Sequence, residues 1–266
     1  MTLRTQPRLT AIGSGKGGTG KTMVSVNLAQ ALSEAGERVL LFDADLGLAN
    51  TAVQLGLDGC GDLEAVLLSG DIAQDLVKSV GGGVRVRGGF DLLAPPAGSG
   101  AFANIGAGVA ERLVETLRAG KRYDRVVLDL AAGVDDATMA FAASADESLL
   151  VLTPDPAALT DAYAFVKLVL RRGGPLPSSI VNMAGSDAEA TKVAESLART
   201  CSAFLKRAPE SMGRIPRDGR VIECVRRQEL LLSHYPQSPA ARAIANIARH
   251  LQRRARPALA LGAGVR

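Results

Sequence analysis

Short apolar runs alternate with stretches of helical periodicity along most of the chain. Runs that predict buried strands lie at 9–12, 39–42, 91–93, 126–129, 149–152 and 180–182. Stretches whose apolar residues recur at helical spacing lie at 22–35, 62–78, 107–119, 135–144, 158–171 and 188–204. This alternation predicts an α/β fold, with a mostly parallel twisted sheet and helices on both of its faces.

A glycine-rich loop lies between the first predicted strand and the first predicted helix. Residues 13–22 read GSGKGGTGKT and fit the phosphate-loop pattern G-x-x-x-x-G-K-[ST]. Glycines let backbone N–H groups form a nest for phosphate oxygens, and the helix that follows adds its positive end. The loop therefore predicts a P-loop NTPase, with cofactor-binding residues Gly15, Lys16, Gly17, Gly18, Thr19, Gly20, Lys21 and Thr22.

Aspartates follow two of the predicted strands, at the edge of the sheet where the glycine loop also lies. The segment FDAD places Asp43 and Asp45 after one strand, and Asp129 ends another. Mg²⁺ binds through one or two carboxylates plus phosphate, so Thr22, Asp43 and Asp129 are the predicted metal site, with Asp129 acting through water. Asp45 is predicted to orient an attacking water. Strand-end aspartates also serve as helix caps, but three beside one phosphate loop favour the functional interpretation.

Composition narrows the class of protein. The 266 residues are 47% hydrophobic, and we expect one ATPase domain over 1–256 with a flexible tail at 257–266. Aromatic residues make up only 3% of the chain, so nucleic-acid binding by base stacking is not expected. The net charge of +4 permits contact with DNA or anionic lipid without requiring it, so weak or no nucleic-acid binding is predicted.

Cysteine and histidine usage bears on the compartment and on metal binding. The three cysteines are isolated and the histidines number two, so neither forms a metal-binding pattern. Unpaired cysteines suit a reducing cytoplasm. No apolar run along the sequence predicts a signal peptide or a membrane-spanning helix.

The loop segment KGGTGKT resembles the deviant phosphate loop of the MinD/ParA ATPases, which carries an extra lysine at the position of Lys16. FDADLGLANTAVQLGL (42–57) and VLDLAAG (127–133) are similar to the two switch segments of that family. Residues 153–169 and 226–248 are similar to its flagellar branch, FlhG and FleN. The resemblance covers nearly the whole chain.

This resemblance implies ATP and Mg²⁺ as cofactors and an ATP-dependent homodimer, in which Lys16 crosses to the partner's nucleotide. The catalytic and switch positions that it carries over are Lys16, Lys21, Asp43, Asp45, Asn50 and Asp129, with Asn50 at the dimer seam. Asn182, Pro216 and Asp218 fall in segments that would flank the adenine. The implied function is an ATP-hydrolysing switch that controls flagellar number or placement by ATP-dependent binding of a regulator or assembly factor.

Other functions fit the same loop. A ParA-like partition or positioning ATPase would bind DNA nonspecifically, which the mild net charge disfavours. A MinD-like protein would regulate the division site. A nucleotide-binding interaction module without catalysis is disfavoured, because Lys16, Asp45 and Asp129 are all retained. The segment MTLRTQPRLT is unlike the N-terminal segment with which FlhG relatives stimulate a partner GTPase, so that activity is not expected.

The C-terminal region predicts an amphipathic helix. Ile244, Ile247, Ala248 and Leu251 form its apolar stripe, which we expect to pack against the domain. Weak peripheral membrane contact is expected only from the basic residues 253–266. The predicted location is therefore cytoplasmic, with reversible association with a membrane or a cell pole.

Overall fold

Eight strands form one sheet in the computed structural model, which describes residues 6–57, 84–95 and 105–255. The strands are β1 (Arg8–Ser14), β2 (Val39–Ala44), β3 (Val84–Arg85), β4 (Asp91–Leu93), β5 (Arg125–Ala132), β6 (Glu147–Leu152), β7 (Ser178–Ala184) and β8 (Ser211–Pro216). Their order across the sheet is β3-β4-β2-β5-β1-β6-β7-β8. All neighbours are parallel except β3 and β4, so the predicted mostly parallel sheet is confirmed.

Helices cover both faces of this sheet. In the described ranges they are α1 (Lys21–Glu34), α2 (Thr51–Gln54), α3 (Ala107–Ala119), α4 (Asp136–Ser144), α5 (Pro156–Arg171), α6 (Asp187–Leu205), α7 (Gly219–Arg227), α8 (Leu231–His234) and α9 (Pro239–Ala255). Residues of α3 to α6 share one apolar core with the sheet, and residues of α1, α8 and α9 share the other. Burial on both faces explains why the central strands are continuous apolar runs.

The strand order reverses at β1, which lies between β5 and β6. In open α/β sheets, ligands bind outside the carboxyl ends of the strands at such a point. Ser14 ends β1 and Lys21 begins α1, so the glycine loop (15–20) lies there. The register between β2 and β5 places Asp43 directly beside Asp129 at the same edge.

The opposite edge of the sheet contains a buried ion cluster around Arg125, the first residue of β5. Its Nε lies 2.7 Å from Glu37 Oε2, and its Nη1 lies 2.9 Å from Glu147 Oε2 and 2.7 Å from Thr10 Oγ1. The Arg125 side chain is only 1% exposed. Both carboxylates and the threonine hydroxyl therefore satisfy a charge that would be costly to bury alone.

The six predicted strands, and the predicted helices that fall within the described ranges, are confirmed with bounds that differ by a few residues at most. The helix predicted at 62–78 lies outside the described residues. The sequence pattern missed β3, β8, α2, α7 and α8. Gly213 interrupts the edge strand β8, and α7 buries Cys224 alone, so neither segment carries an apolar run of the kind that marks the other elements.

The C-terminal helix α9 packs against the domain, as predicted. Ile244, Ile247, Ala248 and Leu251 are all buried in the core that α1 shares. The tail predicted at 257–266, and most of the basic segment 253–266, lie outside the described residues. Among the helices of the described ranges, none has the length and apolar character needed to cross a membrane.

Candidate functional site

The glycine loop needs glycine at two of its positions for steric reasons. Gly20 precedes α1 with a φ of +84°, and a Cβ atom built on it would lie 2.5 Å from Asn182 Nδ2. A Cβ atom on Gly15 would lie 2.3 Å from the backbone carbonyl of Asp161 in α5. The loop is therefore pressed between β7 and α5, and a side chain at either position would displace it.

Three hydrogen bonds fix this loop and the end of β1 that precedes it. Asn182 Nδ2 donates to the Thr19 carbonyl at 2.8 Å, and Ser14 Oγ donates to the Lys16 carbonyl at 2.6 Å. The Gly133 N–H, just after β5, donates to the Ser14 carbonyl at 3.0 Å. These bonds use carbonyl groups, so they leave the loop's N–H groups available for an anion.

Lys21 begins α1 and lies among three carboxylates. Burial lowers the pKa of Lys21, and the negative charges of Asp129, Asp45 and Asp43 oppose that shift. The ammonium is thus largely dehydrated, and three carboxylates are near enough to act on it electrostatically. Such a site can accept a phosphate chain on the loop side and a cation on the carboxylate side.

Asp43 and Asp129 are both buried and face each other across β2 and β5. Burial, followed by the charge of Asp129, raises the pKa of Asp43 to about 7. Hydrogen bonds to Asp43 from Thr51 and from the Asp45 N–H oppose that rise. Burial also raises the pKa of Asp129, while hydrogen bonds from Thr22 and Ser25 and the charge of Lys21 lower it.

The residues present fit Mg²⁺ bound together with a nucleotide. Two adjacent buried carboxylates and the Thr22 hydroxyl, bonded to Asp129, provide hard oxygen ligands beside the Lys21 ammonium. Among the described residues, no group of three or more His, Cys, Asp or Glu side chains could hold a metal ion by itself. Phosphate and water would therefore have to complete the coordination shell. Thr19 Oγ1, buried in the loop with no partner among the described residues, also suits a site completed by a ligand.

Lys16 does not reach this carboxylate cluster. Its Nζ forms an ion pair with Asp155 Oδ2, while the other carboxylate oxygen of Asp155 accepts the Ala157 N–H at 2.9 Å and caps α5. Both residues line a cavity of about 530 Å³ beside the glycine loop. Its remaining lining is Gly17, Gly18, Thr153, Pro154, Met183, Gly185, Glu189 and Arg217.

The residues predicted to flank the base, Asn182, Pro216 and Asp218, are not among those that line this cavity. Asn182 is buried beneath the loop, with Nδ2 on Thr19 and Oδ1 accepting the Met183 N–H at 2.9 Å. Pro216 ends β8 and pairs with Ala184. Asp218 Oδ1 accepts the Arg220 N–H at 2.9 Å, and its Oδ2 accepts the Ala240 N–H at 3.2 Å. The Asp218 carboxylate therefore ties α7 to α9, and Arg217 is the residue of 216–218 that lines the cavity.

The two remaining predicted residues follow β2. Asp45 is half-buried, and its Oδ1 accepts the Leu48 N–H at 3.1 Å. Asn50 is exposed and precedes α2 without capping it through its side chain. Asp45 therefore joins the cluster around Lys21, whereas Asn50 stays on the surface.

Sequence reasoning missed three side chains at this site. Ser25 Oγ lies 2.8 Å from Asp129 Oδ1, Thr51 contacts both Asp43 and Asp129, and Asp155 holds Lys16. Ser25 could have been found, because it lies one helical turn after Lys21 on the same side of α1. The other two contacts have no signal in the sequence, since they depend on how loops fold over the sheet edge.

Comparison with known proteins places the chain in a family. A family model for the CobQ/CobB/MinD/ParA nucleotide binding domain matches residues 10–232. The chain belongs to this family. It is 36% identical over 245 residues to the antiactivator FleN of Pseudomonas aeruginosa, a match that covers 90% of this chain and 84% of FleN. It is also 35% identical over 159 residues to the flagellum site-determining protein YlxH of Helicobacter pylori, over 59% of this chain and 52% of YlxH.

Solved MinD structures share the fold. The septum site-determining protein MinD of Pyrococcus horikoshii, complexed with Mg-ADP, is 26% identical with a TM-score of 0.76 and covers 94% of this chain and 97% of that one. MinD in the MinC:MinD cell division protein complex of Aquifex aeolicus is 27% identical with a TM-score of 0.74, over 94% and 97% of the two chains. These relatives thus include a MinD that binds Mg-ADP and a MinD that forms a complex with MinC.

Proposed function

We propose that the chain is an ATP-hydrolysing, Mg²⁺-dependent dimerisation switch that controls flagellar number or placement. The observation that carries the proposal is the buried Lys21 behind the glycine loop, with Asp43, Asp45 and Asp129 around it. Lys21 begins α1 directly after the glycine loop, so its ammonium belongs to the segment on which a phosphate chain would bind. Similarity to FleN and YlxH supports the flagellar part of the proposal.

Each predicted site residue has a role under this proposal. Lys21 binds the β- and γ-phosphates, Thr22 and Asp43 hold Mg²⁺, and Asp129 reaches it through water. Asp45 orients the attacking water. Bound Mg²⁺ would supply positive charge against the phosphates. The base would bind in the cavity beside the loop, with Arg217 of the segment 216–218 in its wall and Asn182 supporting the loop from β7.

The proposed active form is a homodimer with two nucleotides at its interface and Asn50 near the seam. Lys16 supplies a cation to the partner's nucleotide, in the way that an arginine finger acts in trans. In the single subunit Lys16 is paired with Asp155, which is itself exposed. Exposed ion pairs contribute little free energy, so Lys16 can exchange this carboxylate for a phosphate.

The proposed partner is a regulator or assembly factor of the flagellar system, bound by the ATP form. We propose that residues 1–256 act as one ATPase domain, because α9 packs against the same core as α1. The buried free thiols of Cys201 and Cys224 are compatible with a reducing cytoplasm, where ATP is also available.

Replacement of Lys21 tests the assignment directly. Lys21→Ala removes the ammonium while leaving the loop's glycines intact, so nucleotide affinity should fall at least about a hundredfold, as expected for the loss of a charged partner in a buried site. Titration of a fluorescent ATP analogue in Mg²⁺ measures this change. Lys192→Ala, which removes an exposed lysine of α6, should bind as the wild type does. Undiminished affinity in Lys21→Ala would contradict the proposal.

A further inference from the structure

Thr51 is fully buried in a segment in which buried and exposed residues alternate. It begins α2 and is 0% exposed, whereas Leu48 is 71% exposed and Asn50 lies on the surface. Its backbone N–H donates to Asp43 Oδ2 at 3.1 Å, and its Oγ1 lies 3.4 Å from Asp129 Oδ2. One residue therefore contacts both carboxylates of the candidate metal site.

This arrangement differs from that of an ordinary buried threonine. In helices such hydroxyls usually bond a carbonyl of the preceding turn, as Thr116 Oγ1 does with the Arg112 carbonyl at 2.9 Å. Thr51 has no preceding helical turn, because α2 starts with it. Its hydroxyl lies instead between the two carboxylates, in contact with Asp43 on β2 and 3.4 Å from Asp129 Oδ2 on β5.

We propose that Thr51 is a positioning residue that couples Mg²⁺-dependent nucleotide binding to the segment 45–50. This inference rests on the proposed function, since it assigns a residue to the same site. The two donors of Thr51 orient Asp43 and Asp129 from the β2 side, while Ser25 orients Asp129 from the α1 side. Outer-shell donors of this kind fix where a carboxylate's lone pairs point, and their loss typically costs 10–100-fold in metal affinity.

The same contacts connect the carboxylate site to the loop that follows β2. Asp45 and Asn50 lie between Asp43 and Thr51, and both ends of this short loop donate a backbone N–H to the Asp43 carboxylate. A cation that moves the Asp43 carboxylate would therefore act on both ends of the loop. Thr51 thereby links occupation of the metal site to the segment that contains the proposed water-orienting residue.

Isosteric replacement separates this role from packing. Thr51→Val keeps the volume and the backbone N–H but removes the hydroxyl, and Thr51→Ser keeps the hydroxyl. The measurement is the dissociation constant of a fluorescent ADP analogue, once with Mg²⁺ and once with EDTA. We expect Thr51→Val to bind as the wild type does in EDTA. The increase in affinity that Mg²⁺ brings should be about tenfold smaller in Thr51→Val than in the wild type. Thr51→Ser and Thr116→Val, the matched control, should retain that gain.

Each other outcome is decisive. A full Mg²⁺ gain in Thr51→Val would overturn the inference, as would an equal loss with Mg²⁺ and with EDTA, because that would indicate packing alone. Should Thr51→Val fail to fold by circular dichroism, Thr51→Ala takes its place with the same expectation. If the wild type itself bound no nucleotide, or bound it equally with and without Mg²⁺, the proposed function would fail instead, so the two failures are distinguishable.

Discussion

The protonation of Asp43 depends on how the fold surrounds its carboxyl group. Its carboxyl group is buried beside that of Asp129, and together burial and the neighbouring charge raise its pKa from 3.8 to about 7. Near neutral pH and without a cation, the site is therefore close to taking up a proton. Mg²⁺ and a proton would compete for the same carboxylate oxygens.

The raised pKa of Asp43 makes the stability of the ligand-free protein depend on pH. The folded chain keeps a proton that the unfolded chain has released above about pH 4, so this contribution is complete below that value and is lost as pH rises through about 7. Asp43→Asn removes the titration. Urea unfolding at about pH 5.5 and about pH 8 should show wild type losing about 2 kcal/mol relative to Asp43→Asn over that interval. An unchanged difference between the two proteins would contradict the assignment.

Residue identities predicted the site only where local chemistry determines structure. Gly20, Lys21 and Thr22 follow from the loop motif, and the proximity of Asp43 to Asp129 follows from two strands that end at one edge. Thr51 could not be predicted, because its contact with Asp129 depends on the path of a loop between elements. The bond from Asn182 to the loop likewise depends on how β7 lies beside it, which spacing along the chain does not encode.

At the scale of elements, β5 contributes to stability through its first residue and to the candidate site through a later one. Arg125 at its start lies in the buried ion cluster, and Asp129, four residues later, lies at the carboxylate site. Because a strand rises about 3.3 Å per residue, the two positions lie roughly 13 Å apart along β5. The same element therefore holds the fold at one end and presents a ligand near the other.

Disrupting the Arg125 cluster should affect stability without affecting the site. Arg125→Met removes the buried cation beside Glu37 and Glu147. Arg8 Nη2 still lies 2.8 Å from Glu147 Oε1, so the free energy of unfolding should fall by at most about 3–5 kcal/mol. Urea unfolding measures that loss. At a temperature where the variant is folded, its affinity for the fluorescent ATP analogue should equal that of the wild type. A selective loss of nucleotide affinity in a stable variant would show that the cluster serves the site instead.

At the scale of the whole molecule, apolar side chains are exposed around the end of the sheet that carries the candidate site. Leu48 and Val53 follow β2 and are 71% and 46% exposed, Val134 follows β5, and Ile222 on α7 is 54% exposed. Gln228 Nε2, just after α7, donates to the Val53 carbonyl at 2.8 Å and joins two of these segments. Exposed apolar side chains beside a ligand site suit a surface that a partner covers, although Phe204 at the end of α6 is 74% exposed as well. This surface supports the proposal that a second subunit closes over the nucleotide.

Removing the Asp45 carboxylate should separate dimer assembly from hydrolysis. Asp45→Ala keeps Lys16 and Lys21 for nucleotide but lacks the group proposed to orient water, so turnover should fall about 10²–10⁴-fold. With ATP and Mg²⁺, size-exclusion chromatography with light scattering should then give a persistent dimer of twice the 27.5 kDa chain mass. Glu195→Ala, an exposed control on α6, should turn over ATP as the wild type does.

Adding Lys16→Ala to Asp45→Ala should return the protein to a monomer that still binds ATP, because the cation acting in trans is gone. A monomeric Asp45→Ala with ATP bound, or a double variant that remains dimeric, would refute the trans-acting role of Lys16.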